Sequence, residues 1–354
     1  MQKRTIPFGT ITITDTAKQL IAEALESKRI SCGRLVREFE DRFAALTGVK
    51  EAVAVSSGTD ADILALAVLH DFGAERGDEV IVPALSFVAT GNAVVHAGFT
   101  PVFVDIKRDT LNIDPGKIDA AITPKTRAIM PVHLMGKPAE MDTINAIAKK
   151  HGLIVVEDAA EAHGALYKGR PAGSLADLAA FSTYVAHIIT TGEGGEDVRF
   201  TFDRIGYSCK MNEMEAAIGI GAMEVYYEIL KKRHDNLIYV LERFDRFAPW
   251  LSTIKEEAHE QIGPHAIPII INEGAPFTRA ELTRHLEKNG IETRTLFVSM
   301  PTQCPGFEYL GYKLGQFPNA EYLGNNGLHI GVHQDVGIED MEYVLEILEQ
   351  LVNA

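Results

Sequence analysis

The sequence predicts a two-domain α/β protein, and three features carry that expectation. Short apolar, β-branched runs alternate with helical stretches over residues 50–195. The runs are apolar throughout rather than alternating, as strands covered on both faces are. A chain of 354 residues also exceeds one simple core and falls short of three domains.

Residues 15–47 carry helical periodicity, in AKQLIAEAL and LVREFEDRFAAL. EAVAVSSG then reads as a strand before TDADILALAVLHDF, and EVIVPAL as one before FVATGNAVVHAG. PVFVDI, RAIMPVHL, the helix AEMDTINAIAKKHG and LIVVEDAA continue the alternation. After Gly195 the character changes. MNEMEAAIGIGAMEVYYEILKKRHDNLIYVLERFDRF is long and helical, as a domain-bridging helix would be. HAIPIII gives a strand, TRAELTRHLEKNG a helix closed by Gly290, IETRTLF a strand and IEDMEYVLEILEQLVNA a final helix. The expected division is a large domain over 1–235 and a small α/β domain over 236–354.

A hydrophobic fraction of 46% describes an ordinary globular chain. The net charge of −15 argues against a nucleic-acid or acidic-membrane partner, since phosphate attraction needs a basic footprint. A local pocket can still take an anionic small substrate. No apolar run approaches the ~20 residues of a membrane span. The opening MQKRTIPFGTITITD has no signal-peptide core or cleavage site, so a cytoplasmic location is expected. Cys32, Cys209 and Cys304 are dispersed and odd in number, without CxxC or metal spacing. Reduced thiols and no metal site are expected.

Three stretches carry chemistry. SSGTDAD, Ser56 to Asp62, places hydroxyls and small residues between a strand and a helix, where backbone amides bind phosphate or simply cap the helix. LIVVEDAAEAHG ends a buried strand on Glu157 and Asp158 and adds Glu161 and His163. A carboxylate there points into the crevice where open sheets bind ligands, or caps the next loop. TTGEGG supplies glycines that permit close backbone approach or a tight turn.

Together, and in this order, these stretches resemble the DegT family of sugar aminotransferases, pyridoxal-phosphate enzymes of the aspartate-aminotransferase fold type. The resemblance covers GRLVREFEDRFAALTGVKEAVAVSSGTDADILAL, GDEVIVPALSFVATGNAVVHAGFTPVFVDI and the long run from PVHLMGKP to LADLAAFS, and resumes at GYSCKMNEMEAAIG and GIETRTLF. It implies a large domain with a mostly parallel seven-stranded sheet, a smaller C-terminal domain, and a homodimer with the active site at the interface. It places Asp158 on the pyridinium nitrogen, where its charge keeps the ring an electron sink. It places Gly58, Thr59 and Ser182 on the phosphate. Phe87 matches the aromatic stacked on the ring, or is a core phenylalanine. Glu161 stands where the family usually has a glutamine contacting the ring hydroxyl. Ser208 stands where an asparagine usually reaches the partner subunit's phosphate. Arg294 approaches the substrate or orders the small domain, the second being favoured.

The family's Schiff-base lysine lies five positions before the first glycine of GEGG, and here that position is His187. Lysine both ties the coenzyme and moves protons. Imidazole keeps only the second task. That combination suits pyridoxamine-phosphate-dependent dehydration rather than amine transfer. The histidine replacement resembles the branch of 3-dehydratases acting on nucleotide-linked 4-keto-6-deoxyhexoses. One type restores the amine form with glutamate; another carries an iron–sulfur cluster and takes electrons from a reductase. Competing readings are an aminotransferase whose lysine was replaced by engineering, and a non-catalytic coenzyme-binding homologue.

After GEGG the family continues through a strand, a helix and a loop, whereas here Gly195 runs into EDVRFTFDRIGYSCKM. Either the chain is shortened at this seam, or the sequence lacks a stretch that the natural protein carries. VRFTF has strand-like alternation. A [2Fe–2S] cluster and a reductase partner are expected only if residues are missing after Gly195.

Overall fold

The structure is a computed structural model that describes residues 4–184 and 207–353. Strands β1 (Glu79–Pro83), β2 (Thr100–Val104), β3 (Thr126–Ile129) and β4 (Ile154–Asp158) are followed by the short β5 (Leu166–Tyr167) and β6 (Arg170–Pro171), then β7 (Leu178–Ala180). The large sheet has the order β2-β1-β3-β4-β7, and each neighbouring pair is parallel. Alternate residues face opposite layers. Val80, Val82, Ala128 and Val156 enter one apolar cluster, while Ile81, Ile129 and Val155 enter a second with the helix Met141–His151. Both faces are therefore covered, which is why these strands read as unbroken apolar runs.

Beyond it come β8 (Leu251–Ser252), β9 (Glu260–Gln261), β10 (Ala266–Ile271), β11 (Thr293–Thr295) and β12 (Gly327–Gly331). An antiparallel sheet of order β11-β12-β10-β8 forms the second layer system. A ribbon of order β6-β5-β9 stitches the two regions together. The apolar cluster on one face of the large sheet continues into Ile269, Leu328 and Leu345. The boundary expected near residue 235 falls inside the helix Tyr226–Leu241, whose Leu237 and Val240 lie in that continuous cluster.

Three elements differ from expectation. The described residues supply five strands to the large sheet rather than seven, and VRFTF lies outside the described residues. EAVAVSSG forms no strand: Glu51–Val55 finds no ladder partner among the described residues, and Val53 is 79% exposed. A groove of about 1120 Å³ is lined both by this segment and by β7. The long helical stretch after Met211 is two helices, Glu213–Glu224 and Tyr226–Leu241, interrupted at Val225. Asn212 and Glu215 close a capping box that starts the first of them.

The N-terminal helices Asp15–Ser27 and Arg34–Thr47 pack on Glu213–Glu224. Gly221 allows the closest approach, since a Cβ there would sit 2.4 Å from the Thr14 hydroxyl oxygen. Gly33 precedes the second helix without a capping side chain. The buried Glu213 carboxylate does that work from afar, accepting the amides of Leu35 and Val36 at 3.1 Å.

Candidate active site

In the large sheet the chain runs from β1 out to β2, then returns to place β3 on the other side of β1. A switch point of this kind opens a crevice at the C-terminal strand ends. Phe87 follows β1, His133 follows β3, and Asp158 ends β4, so one edge collects the groups that matter.

Asp158 is buried, and its Oδ2 accepts from the Thr90 hydroxyl at 2.7 Å while Oδ1 accepts from the Ala160 amide at 3.2 Å. Thr90 is in turn 2.8 Å from the Ser86 hydroxyl. Burial pushes the Asp158 carboxyl up, and the two hydrogen bonds with the neighbouring His133 oppose that push. A buried carboxylate with this support has one strong remaining need, a cationic partner.

Adjacent Glu157 faces the opposite layer. Its Oε1 accepts from the Leu175 amide at 2.7 Å, and its Oε2 accepts from the Gly173 amide and from His133 Nε2, both at 2.8 Å. His133 Nδ1 accepts from the Ala139 amide at 3.0 Å, so Nε2 carries the proton that goes to Glu157. Every oxygen is satisfied, and Glu157 holds the end of β4 to the ends of its neighbours. Glu157→Ala is expected to cost about 3–5 kcal/mol, because the two amides and the imidazole would be left buried and unpaired. A urea melt on the purified variant measures it; a loss below about 1 kcal/mol would refute the structural assignment.

The phosphate candidates converge. Gly58 opens the helix Gly58–Ala67, and the Ser57 cap accepts the Asp60 amide at 3.0 Å. Among the described residues the amides of Gly58 and Thr59 have no partner, as first-turn amides do not. A Cβ on Gly58 would lie 2.8 Å from Ser182 Cβ, so only glycine lets the helix start meet that serine. His163 fixes the serine from behind, donating Nε2–H to the Ser182 carbonyl at 2.7 Å. Burial holds this imidazole near a pKa of about 4 and keeps it neutral. Amides at a helix N-terminus, a hydroxyl and a glycine-sized space fit a phosphate.

Phe87 is 56% exposed beside Phe297, at 5.7 Å between ring centroids, so it is not a core phenylalanine. Glu161 lies three residues beyond Asp158 and accepts the Met135 amide on Oε2 at 2.7 Å. Asp62, to which the sequence assigned no role, is buried one turn into the helix Gly58–Ala67 with Oδ1 unpartnered among the described residues. Burial and Asp158 push its carboxyl well above the usual carboxylate range. Arg294 pairs with Glu292 at 2.6 Å and lies over the Phe8 ring at 4.9 Å. Ser208 is exposed. His187 and Gly195 lie outside the described residues.

Asp158, Gly58, Thr59, Ser182 and the exposed Phe87 thus offer a carboxylate for a ring cation, a cradle for a phosphate and an aromatic face. The chemistry of this donor set fits pyridoxal or pyridoxamine phosphate. Among the described residues no group of three or more His, Cys, Asp or Glu could hold a metal ion, and no helix is long and apolar enough to cross a membrane.

The chain is 35% identical over 361 residues to the GDP-perosamine synthase of Caulobacter vibrioides, covering 95% of each. It is 31% identical over 389 residues to the GDP-4-keto-6-deoxy-D-mannose 3-dehydratase of Escherichia coli O55:H7, covering 97% of this chain and 99% of that one. Among solved structures, the E. coli GDP-4-keto-6-deoxy-D-mannose-3-dehydratase with bound hydrated PLP superposes with a TM-score of 0.87 at 29% identity, over 98% of this chain and 100% of the other. The family model matches in two pieces, residues 12–199 and 196–349, so its break falls at the seam after Gly195. With nearly its whole length matched, the chain belongs to the DegT/DnrJ/EryC1/StrS aminotransferase family.

Proposed function

We propose that the protein is a pyridoxamine-phosphate-dependent dehydratase that removes the C3 hydroxyl of a nucleotide-linked 4-keto-6-deoxyhexose. One observation carries the reading: a histidine, His187, stands where the family places its Schiff-base lysine, while Asp158, Gly58, Thr59 and Ser182 match the family's coenzyme positions. The 3-dehydratase among its relatives supports the same substrate class. The bound coenzyme supplies an amine to condense with the ketone and an electron sink.

The chain's own residues divide the remaining work. Gly58 and Thr59 present helix-terminal amides to the phosphate, with the Ser182 hydroxyl beside them. Asp158 holds the pyridinium proton in place. Phe87 covers one ring face. His187 takes the proton from the C4′ carbon, a task open to an imidazole with a reference pKa of ~6.5. The active site forms between two copies of the chain, each large domain spanning 1–235 and each small domain 236–354.

A second reading has its own support, since the GDP-perosamine synthase relative shares more identity than the dehydratase. It requires that a lysine belong at position 187. The test is to incubate the wild type, His187→Asn and His187→Lys with pyridoxamine phosphate and a GDP-linked 4-keto-6-deoxyhexose, reading products by mass. The dehydratase reading expects the wild type to give a 3-deoxy-4-keto sugar one oxygen atom lighter than the substrate, with pyridoxamine phosphate converted to pyridoxal phosphate and ammonia. It expects a drop of about 10²–10⁴-fold in His187→Asn. Amino-sugar from His187→Lys, with no dehydration by the wild type, would overturn it in favour of a replaced lysine. Coenzyme binding without any turnover would make the protein a non-catalytic homologue.

A further inference from the structure

Two buried hydroxyls, those of Ser86 and Thr90, run in line to the Asp158 carboxylate. We propose that they are a positioning pair for Asp158: Ser86 donates to Thr90, Thr90 donates to Asp158, and this chain of donors keeps the coenzyme's proton on the ring nitrogen rather than on the carboxylate. The inference rests on the coenzyme reading of the site.

The Thr90 hydroxyl makes an unusual choice of partner. Thr90 lies in the first turn of the helix Val88–His96, where its amide donates to the Phe87 carbonyl at 3.2 Å. A helical threonine commonly turns its hydroxyl back to a carbonyl of the preceding turn. Thr47 does so, donating to the Phe43 carbonyl at 2.8 Å. Thr90 instead reaches across to β4 and donates to Asp158 Oδ2 at 2.7 Å. That bond sets the direction of the next one. A carboxylate has no proton to give and a hydroxyl has only one, so the 2.8 Å contact between Ser86 and Thr90 is a donation from Ser86. Buried donors linked in this way polarise one another.

Each donor stabilises the charge of a carboxylate and makes it a weaker base. The Thr90 hydroxyl and the Ala160 amide occupy two of the roughly four acceptor positions on the Asp158 oxygens, which leaves room for a ring N–H. With a donor removed, Asp158 would take a larger share of the proton it holds in common with the ring. The pair also sets position. Ser86 and Thr90 flank Phe87 in the sequence, so the segment that carries this aromatic is tied to the carboxylate at the end of β4.

The test uses the full-length protein, Thr90→Val, Thr90→Ser and Ser86→Ala, each saturated with pyridoxal 5′-phosphate labelled with ¹⁵N in the ring. The ¹⁵N chemical shift separates a protonated ring nitrogen from a bare one, which a loss of packing alone does not move. Wild type and Thr90→Ser are expected to show the protonated nitrogen, Thr90→Val a shift displaced toward the bare one, and Ser86→Ala a smaller displacement in the same direction. The dissociation constant for the coenzyme is expected to rise about ten- to a hundredfold in Thr90→Val, the loss of one hydrogen bond to a charged group, and less than about threefold in Thr90→Ser. A wild-type nitrogen shift in Thr90→Val overturns the proposal. So does an equal loss of affinity in Thr90→Ser, which would make Thr90 a packing residue. If Thr90→Val does not fold, Ser86→Ala decides, because it keeps Thr90 in place; an unmoved shift there overturns the chain of donors. If the wild type takes up no coenzyme, the coenzyme reading fails and this inference with it, whereas bound coenzyme without dehydration refutes the dehydratase alone.

Discussion

Asp158→Asn is expected to fold and to lose turnover by on the order of 10²–10³-fold, the usual consequence of removing one preorganised electrostatic partner. Asparagine fills the same space, and its carbonyl oxygen can accept from Thr90 or from Ala160 as the aspartate does. What disappears is the charge, buried where little water can replace it. Without that charge the ring nitrogen loses its proton and the coenzyme its capacity to hold electrons. The measurements are kcat with saturating pyridoxamine phosphate, a thermal melt, and the absorption spectrum of bound coenzyme. The melt should move little, because the wild-type carboxylate carries a desolvation cost that the amide avoids. Turnover within about threefold of wild type would remove Asp158 from the ring.

Gly58→Val should act on affinity rather than on chemistry. Even one added carbon would stand 2.8 Å from Ser182 Cβ and 3.3 Å from Ser182 Cα, and the second contact is with backbone. Ser182 cannot withdraw freely, since His163 holds its carbonyl. Overpacking of this kind costs about 1–3 kcal/mol of stability. It also separates the helix amides from the serine hydroxyl, and a lost hydrogen bond to a charged group is worth about 1.5–3 kcal/mol. A rise of about ten- to a hundredfold in the dissociation constant for pyridoxal phosphate follows, with kcat largely recovered at saturating coenzyme. Unchanged affinity would mean that the phosphate is held elsewhere.

Much of the architecture was legible because it is local. The alternation of apolar runs with amphipathic stretches reports strands covered on both faces, and four of those runs pair in parallel, joined by β7. The C-terminal glycine signal at Gly290 closes the helix Arg279–Lys288, where the structure has a glycine of positive φ, and Thr278 opens it with a capping box. EAVAV misled for the same reason: a β-branched run states a preference, but a strand exists only with a neighbour to complete its ladder. The long stretch after Met211 likewise keeps helical composition across Val225, and composition does not show the break there.

Asp158, Gly58, Thr59, Ser182 and His187 could be named from the family resemblance, because the motifs that carry it lie along the chain. Their environments do not. That Phe87 is exposed, that Glu157 is a structural tie, and that Glu213 caps a helix starting at Arg34 follow only from packing. Thr90 shows the division most clearly: it was readable only as one residue of a helical stretch, whereas the partner of its hydroxyl, Asp158, lies 68 residues further along the chain. The sequence alone determined which chemical groups this protein has and in what order; the tertiary structure decided which of them lose their solvent and which partners they meet, because desolvation and pairing depend on contacts far apart in the chain.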